Sequence, residues 1–293
     1  MASRLPPKSP VLLPLSYSAK FDYPLTAEEI WFWQINTEFS RAEIKKLINK
    51  WQMKNGEYCY LPSLSRTVAL RQRRRQYSRG KWTIARRIAR SIARIPSVSA
   101  VFITGSLAMD NCKENDDIDL MIVTLPGTLW ITRFFLFLYL FFKSLRRPPY
   151  LSEHSSPRVS DKICDNLYLD LDHLYIDPHP KPPTYPLYVA HEILQTVPVV
   201  DKHSVHHRFL LANPWVGDYL PVAYRESLKK YKYIKLEKLN AKWQTPIGKI
   251  VYIPVNLLFY FLQYLYMKPH ITQEKIGPGY AFFHPNTDHG THV

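Results

Sequence analysis

The hydrophobic pattern changes period several times along the chain, and each change marks an element. Thr26 and Glu29 form a Thr-x-x-Glu capping box ahead of a short helix predicted over 27–36. Ser40 and Glu43 repeat that signature, and the helix after them sets Ile44, Leu47, Ile48 and Trp51 on one face. Gly56 suits a helix end, and Tyr58 to Leu61 reads as a short strand. A basic segment runs from Arg71 to Arg94. Its second half is an amphipathic helix that turns Trp82, Ala85, Ile88, Ala89 and Ile92 to a core and stops at Pro96. Apolar runs at 100–103 and 119–123 read as buried strands, with a helix over 128–145 behind them. A polar loop near 147–162 leads to a third strand, Leu167 to Leu171. Helices are expected at 187–196, 205–212, 225–243 and 255–267, then a mobile tail whose His284, His289 and His292 read as solvated.

Composition narrows the picture without changing it. The chain has 293 residues, enough for one large domain or two modest ones, and a globular balance of 46 % hydrophobic to 22 % charged residues. Its formal charge of +15 favours polyanionic partners: a nucleoside triphosphate, nucleic acid or an anionic surface. Cys59, Cys112 and Cys164 are odd in number and not in metal-ligand spacing, which fits a reducing cytoplasm and excludes a disulfide framework. Two apolar stretches, Leu129 to Phe142 and Ile250 to Met267, raise the question of a membrane. The first is short and holds Arg133; the second holds Pro254, Asn256 and Gln263. Both read as packed or interfacial helices rather than spans.

The chemistry gathers in the segment from Phe102 to Val123. An apolar strand ends at Gly105-Ser106, ten residues (107–116) intervene, and Asp117-Ile118-Asp119 then opens a second apolar strand. Glycine lets the backbone turn and approach a phosphate with no Cβ in the way. The Ser106 hydroxyl and nearby N–H groups, at the start of a helical turn, can hold a triphosphate. Residues two apart on a strand share a face, so Asp117 and Asp119 present both carboxylates together, and a hard cation such as Mg²⁺ would relieve their repulsion.

This arrangement resembles the nucleotidyltransferase superfamily that includes DNA polymerase β, kanamycin nucleotidyltransferase and the minimal nucleotidyltransferases. The motif covers about 102–123 and the element order about 82–178. The resemblance implies an α+β core, a small mixed sheet with helices on one side, and transfer of a nucleoside monophosphate from an NTP to an acceptor hydroxyl with release of pyrophosphate. It implies two Mg²⁺ ions held by Asp117 and Asp119 and a third carboxylate on a neighbouring strand. In the Leu167 to Leu171 strand, Asp170 and Asp172 both lie on the face opposite the leucines; Asp170, deeper in the strand, is the expected third ligand and proton acceptor. Gly105 and Ser106 would bind the nucleotide. Residues 21–62 read as a winged-helix-like unit, so the expected division is 1–70 winged-helix-like, 71–180 nucleotidyltransferase core and 181–293 a helical region. That order looks like a group of uncharacterised bacterial nucleotidyltransferase-domain proteins, which implies no particular acceptor.

Other readings stay open. The basic face of the second short helix (Arg41, Lys45, Lys46, Lys50) suits nucleic acid or merely solvent, and the cluster Arg73 to Arg75 suits an anion or a solvated helix face. His191-Glu192 lacks the second histidine of a zinc protease, and reads as structural or as a lining of the nucleotide pocket. A non-catalytic nucleic-acid-binding protein is the alternative to an enzyme. Peripheral membrane attachment through Trp130 to Phe142 or through 250–267 is a third reading.

Overall fold

In the computed structural model, residues 9–50, 54–61, 65–148, 157–178, 185–231, 246–271 and 274–283 are described. The expectations for Trp51, for a helix beyond residue 231 and for the histidines from His284 onward lie outside them.

The first elements are α1 (Leu12–Ala19), β1 (Leu25–Thr26), α2 (Ala27–Phe32), α3 (Arg41–Asn49), β2 (Lys54–Asn55) and β3 (Tyr58–Cys59). Both capping boxes form: Thr26 with Glu29 starts α2, and Ser40 with Glu43 starts α3. The first of these helices ends at Phe32 rather than Asn36. The buried Gln34 side chain accounts for this, because it donates to the Trp31 and Phe39 carbonyls and accepts from the Phe39 N–H. Once a side chain satisfies those backbone groups, helical bonds no longer need to. The three short strands pair antiparallel in the order β1-β3-β2, over a core of Leu25, Ile30, Ile44 and Ile48.

Next comes a single helix of 26 residues, α4 (Thr67–Ile92), longer than the pattern predicts. Its buried face keeps the 3–4 spacing throughout but carries Arg74, Ser78 and Lys81 in its first half, where an apolar stripe was sought. Each polar member has partners. Arg74 donates to the Phe21 carbonyl and the Asn111 amide oxygen, and Lys81 reaches Asp161 at 2.8 Å. Arg71 bonds both carboxylate oxygens of Glu29 (2.6 and 2.8 Å) and stacks on Tyr23. Arg71 and Arg74 of the basic segment therefore fasten the N-terminal unit to the rest of the chain.

The remaining elements are β4 (Val98–Ile103), α5 (Gly105–Ala108), β5 (Ile118–Thr124), α6 (Leu129–Phe142), β6 (Ile163–Asp170), α7 (Tyr185–Gln195), β7 (Val197–Asp201), α8 (Val205–Ala212), α9 (Val216–Tyr219), α10 (Pro221–Lys230), α11 (Pro246–Met267), β8 (Lys275–Gly277) and β9 (Tyr280–Phe282). Six strands form one mixed sheet in the order β7-β4-β5-β6-β9-β8, with β5 and β6 parallel and every other pair antiparallel.

The α+β class is as expected, but two features of the expected architecture need correction. Helices cover both faces of the sheet rather than one. Phe102, Met121, Val123 and Leu169 pack under α7, α8 and α10, whereas Val101, Ile103, Leu120 and Ile122 pack under α4, α6 and α11. Every residue of β4 is buried, so neither face could be left to water. The region 181–293 is also not simply helical. It supplies β7, β8 and β9, and so half the strands of the sheet come from beyond the expected core boundary at 180.

Arg71→Ala should destabilise the protein by about 3 kcal/mol in urea unfolding, because it strands a partly buried Glu29 that also caps α2. Arg73→Ala, on the exposed side of the same helix, should change stability by less than about 0.5 kcal/mol. Equal losses would refute the division of labour along α4.

Candidate active site

The end of β4 and the start of β5 meet where the sequence predicts. Gly105 has φ +62°, and a Cβ built there would stand 2.5 Å from Asp119 Oδ2. The Thr104 N–H donates to the Asp119 carbonyl at 3.2 Å, so the bend and the carboxylate strand are locked as one unit. Only glycine satisfies both the left-handed backbone and the close approach. Ser106 begins the short turn of α5, but its hydroxyl is already engaged: it bonds Asp116 Oδ2 and Cys112 Sγ, each at 3.3 Å. Asp116 also accepts from the Lys113 N–H at 2.7 Å. It pins the loop between bend and strand, a role the Asp-Asp-x-Asp run conceals because Asp117 and Asp119 draw the eye.

Asp117 and Asp119 open into a cleft of about 710 Å³, whose wall includes Arg74, Lys113, Tyr17, Trp33, His191 and Glu192. Asp117 is buried and forms an ion pair with Arg147 at 3.2 Å, each side chain being 6 % exposed. Arg147 Nη1 also reaches Cys164 Sγ at 3.7 Å. Burial, then the neighbouring charge of Asp117, then that of Glu192, hold the Asp119 carboxyl well above the usual carboxylate range.

The third expected carboxylate is not in this cleft. The parallel register pairs Asp119 with Cys164 and Thr124 with Asp170, which puts Asp170 at the far end of β6. It also sits on the other face: Asp119 shares a side with Met121 and Val123, and Asp170 the side of Tyr168. There Asp170 bonds His173 Nδ1 at 2.6 Å and accepts from the Asp172 N–H at 3.0 Å. The two-ion arrangement built on Asp117, Asp119 and Asp170 is therefore corrected. Asp172 follows the strand and does not line the cleft either.

A register shift between Asp119 and Met121 decides what faces Asp119 instead. Two β6 residues oppose one on β5 there, and Asn166 donates to Asp119 Oδ1 at 2.9 Å, with Cys164 beside it. Strict alternation counted back from Leu171 puts Asn166 on the wrong face, so no period in the sequence could have found it. Burial first, then the charges of Asp119 and Asp117, push the Cys164 thiol well up.

His191 and Glu192, for which the sequence left a structural role and a place in the pocket lining open, both belong to the wall. Glu192 on α7 is raised to about 7 by burial. His191 stacks on Tyr17 at 3.8 Å, and burial lowers it to about 3, so the ring is neutral and serves as part of an aromatic wall with Trp33.

Donor atoms of Asp117, Asp119 and Cys164 all lie within 4.8 Å of one another, a spacing one cation can span. The carboxylates suit a hard divalent ion such as Mg²⁺; the thiol does not. The residues fit one such ion held by Asp117 and Asp119, and among the described residues β6 offers no carboxylate for a second.

Gly105→Ala should cost about 2 kcal/mol or more from the left-handed backbone alone and displace the Asp119 carboxylate, read as a lower Tm together with lost Mn²⁺ binding. The raised Asp119 carboxyl has a defined pH signature. The folded state holds that proton more tightly than the unfolded chain, so its stabilising contribution is present in acid and lost as pH rises through the raised value. Mg²⁺ should then raise Tm at neutral pH and lose its effect as pH falls. Asp119→Asn should raise the Tm of the metal-free protein at neutral pH by a few degrees and abolish the Mg²⁺ increment. Both are read by thermal melts across pH.

No family model, curated protein or solved structure matches the chain, so its function rests on the geometry of this cleft.

Proposed function

We propose that the chain is a Mg²⁺-dependent nucleotidyltransferase of the DNA-polymerase-β type, moving a nucleoside monophosphate from an NTP to an acceptor hydroxyl with release of pyrophosphate. One observation carries the reading. A glycine in the left-handed region is held against the Asp119 carboxylate, and Asp119 on β5 and Asp117 just ahead of that strand open beside it into the cleft. A backbone bend with no Cβ, next to paired carboxylates, is what binding a metal-bound triphosphate asks for.

A bound Mg²⁺ would neutralise charge on the triphosphate and on the departing pyrophosphate. Asp117 and Asp119 hold it, and Asn166 fixes the orientation of Asp119 through its amide. Lys113 offers positive charge to the phosphates from the cleft wall, and Tyr17, Trp33 and His191 form an apolar surface on which a base can stack. Glu192, near neutral pH in its titration, takes the proton of the acceptor hydroxyl in place of Asp170. The N-terminal order helix, strand, two helices and two strands supports the reading of a winged-helix-like unit, in which the hairpin of β2 and β3 would be the wing.

A second reading has its own observation. Arg147 already neutralises Asp117, and neither β6 aspartate lines the cleft, Asp165 being bonded to Arg146 and Tyr168 and Asp170 to His173, as in a core that has kept its shape and lost its chemistry. The protein would then bind nucleic acid through the N-terminal unit and the exposed arginines of α4.

Incubation of the full chain with Mg²⁺, each labelled NTP and a cell extract separates the two. Asp117→Asn and Asp119→Asn should each reduce pyrophosphate release at least about a hundredfold. Asp170→Asn, on the other face of the sheet, should lower Tm and leave kcat within about threefold. Salt-sensitive duplex binding that survives both cleft substitutions, with no turnover of any NTP, would favour the second reading.

A further inference from the structure

On the sheet face opposite Asp119, α6 and α11 pack against each other and leave large apolar side chains on their outward sides. The inward side of α11 carries its amides. Asn256, 2 % exposed, accepts from the Trp130 N–H at 2.8 Å. Gln263 donates to the Trp130 carbonyl at 2.8 Å and accepts from Arg133 at 2.6 Å. The outward side carries Leu257, Leu258, Phe261, Leu262, Leu265 and Tyr266, spaced three and four apart and 44–71 % exposed. Phe135, Phe141 and Phe142 stand out from α6, the last 76 % exposed, and Phe134 joins the helices by packing its ring at a tilt against Phe259 at 5.0 Å.

Eleven of the fourteen exposed large apolar side chains among the described residues lie on these two helices. A helix on a water-facing surface turns polar residues out; α11 turns apolar residues out, which water penalises and hydrocarbon rewards, while its inward side mixes the amides with Phe259 and Tyr260. Charge points the same way. Neither helix contains an acidic residue. Exposed Lys143 ends α6, exposed Lys268 follows α11, and Lys275 is exposed just beyond, in a chain of net charge +15. No helix among the described residues is long and apolar enough to cross a membrane.

We propose that the α6–α11 face lies on an anionic lipid bilayer, with the outward side of α11 and the phenylalanines of α6 sunk into the interface and Lys143, Lys268 and Lys275 set against the headgroups. This geometry buries apolar side chains without spanning the bilayer, and the basic rim supplies the attraction that apolar insertion alone lacks. It does not depend on the chemistry of the cleft, and it places an enzyme or a nucleic-acid binder at a membrane surface with the cleft on the opposite face.

Flotation of the full chain with vesicles of phosphatidylcholine, with and without phosphatidylserine, tests it. The protein should float with the mixed vesicles, about tenfold less with pure phosphatidylcholine, and less again in high salt. Leu258→Glu with Phe261→Glu should abolish flotation at unchanged circular dichroism. Should that pair unfold the chain, Leu262→Trp provides the readout, through a blue-shifted emission quenched by brominated lipid only with the anionic vesicles. No flotation and no blue shift would overturn the proposal. So would a stable dimer in light scattering that dissociates on Leu258→Glu, since a second copy of the chain would then be what covers the face.

Discussion

Setting two carboxylates side by side in a partly buried cleft costs electrostatic free energy unless positive charge is brought to them, and the cleft is arranged around that cost. Asp117 is answered by Arg147, whereas Asp119 has the Asn166 amide and Cys164 beside it, and burial followed by the charges of Asp117 and Glu192 keeps its carboxyl protonated more readily than usual. The pair is thus unequal. One carboxylate is neutralised within the protein, and the other is completed by whatever cation or proton enters. The close approach of Gly105 fixes the distance between this carboxylate and the bend.

The sheet separates two kinds of surface. On one face, α7, α8 and α10 seal a core, and α7 carries part of the cleft wall, with Glu192 and His191 drawn in from far along the chain. On the other, α4 shields the middle of the sheet while α6 and α11 bind each other through amides and turn phenylalanine and leucine outward. Arginines that look like an anion-binding run in sequence divide by helical phase: Arg71 and Arg74 hold the N-terminal unit in place, and their neighbours face water. A charge of +15 is therefore only partly available for partners.

The sequence by itself determined what short-range rules control. Both capping boxes are local hydrogen-bond patterns, and both form. The β4 bend, the Asp-x-Asp strand and its buried neighbours follow from glycine stereochemistry and the period of two, and the structure joins them as one site. What failed to be legible depended on contacts between distant segments. The β7, β8 and β9 strands are short, carry little pattern of their own, and exist because other strands offer them partners. The first half of α4 hid because its buried face is polar and is satisfied by residues 37 or 80 positions away. Asp170 was misplaced because alternation tells which residues share a face but not which face or which end of the sheet. The parallel register and one bulge decided that, moving Asp170 away and bringing Asn166 and Cys164 in. Local periodicity is written in neighbouring residues, whereas register is settled only when whole strands and the helices between them have packed, and so only the tertiary structure could say what stands opposite Asp119.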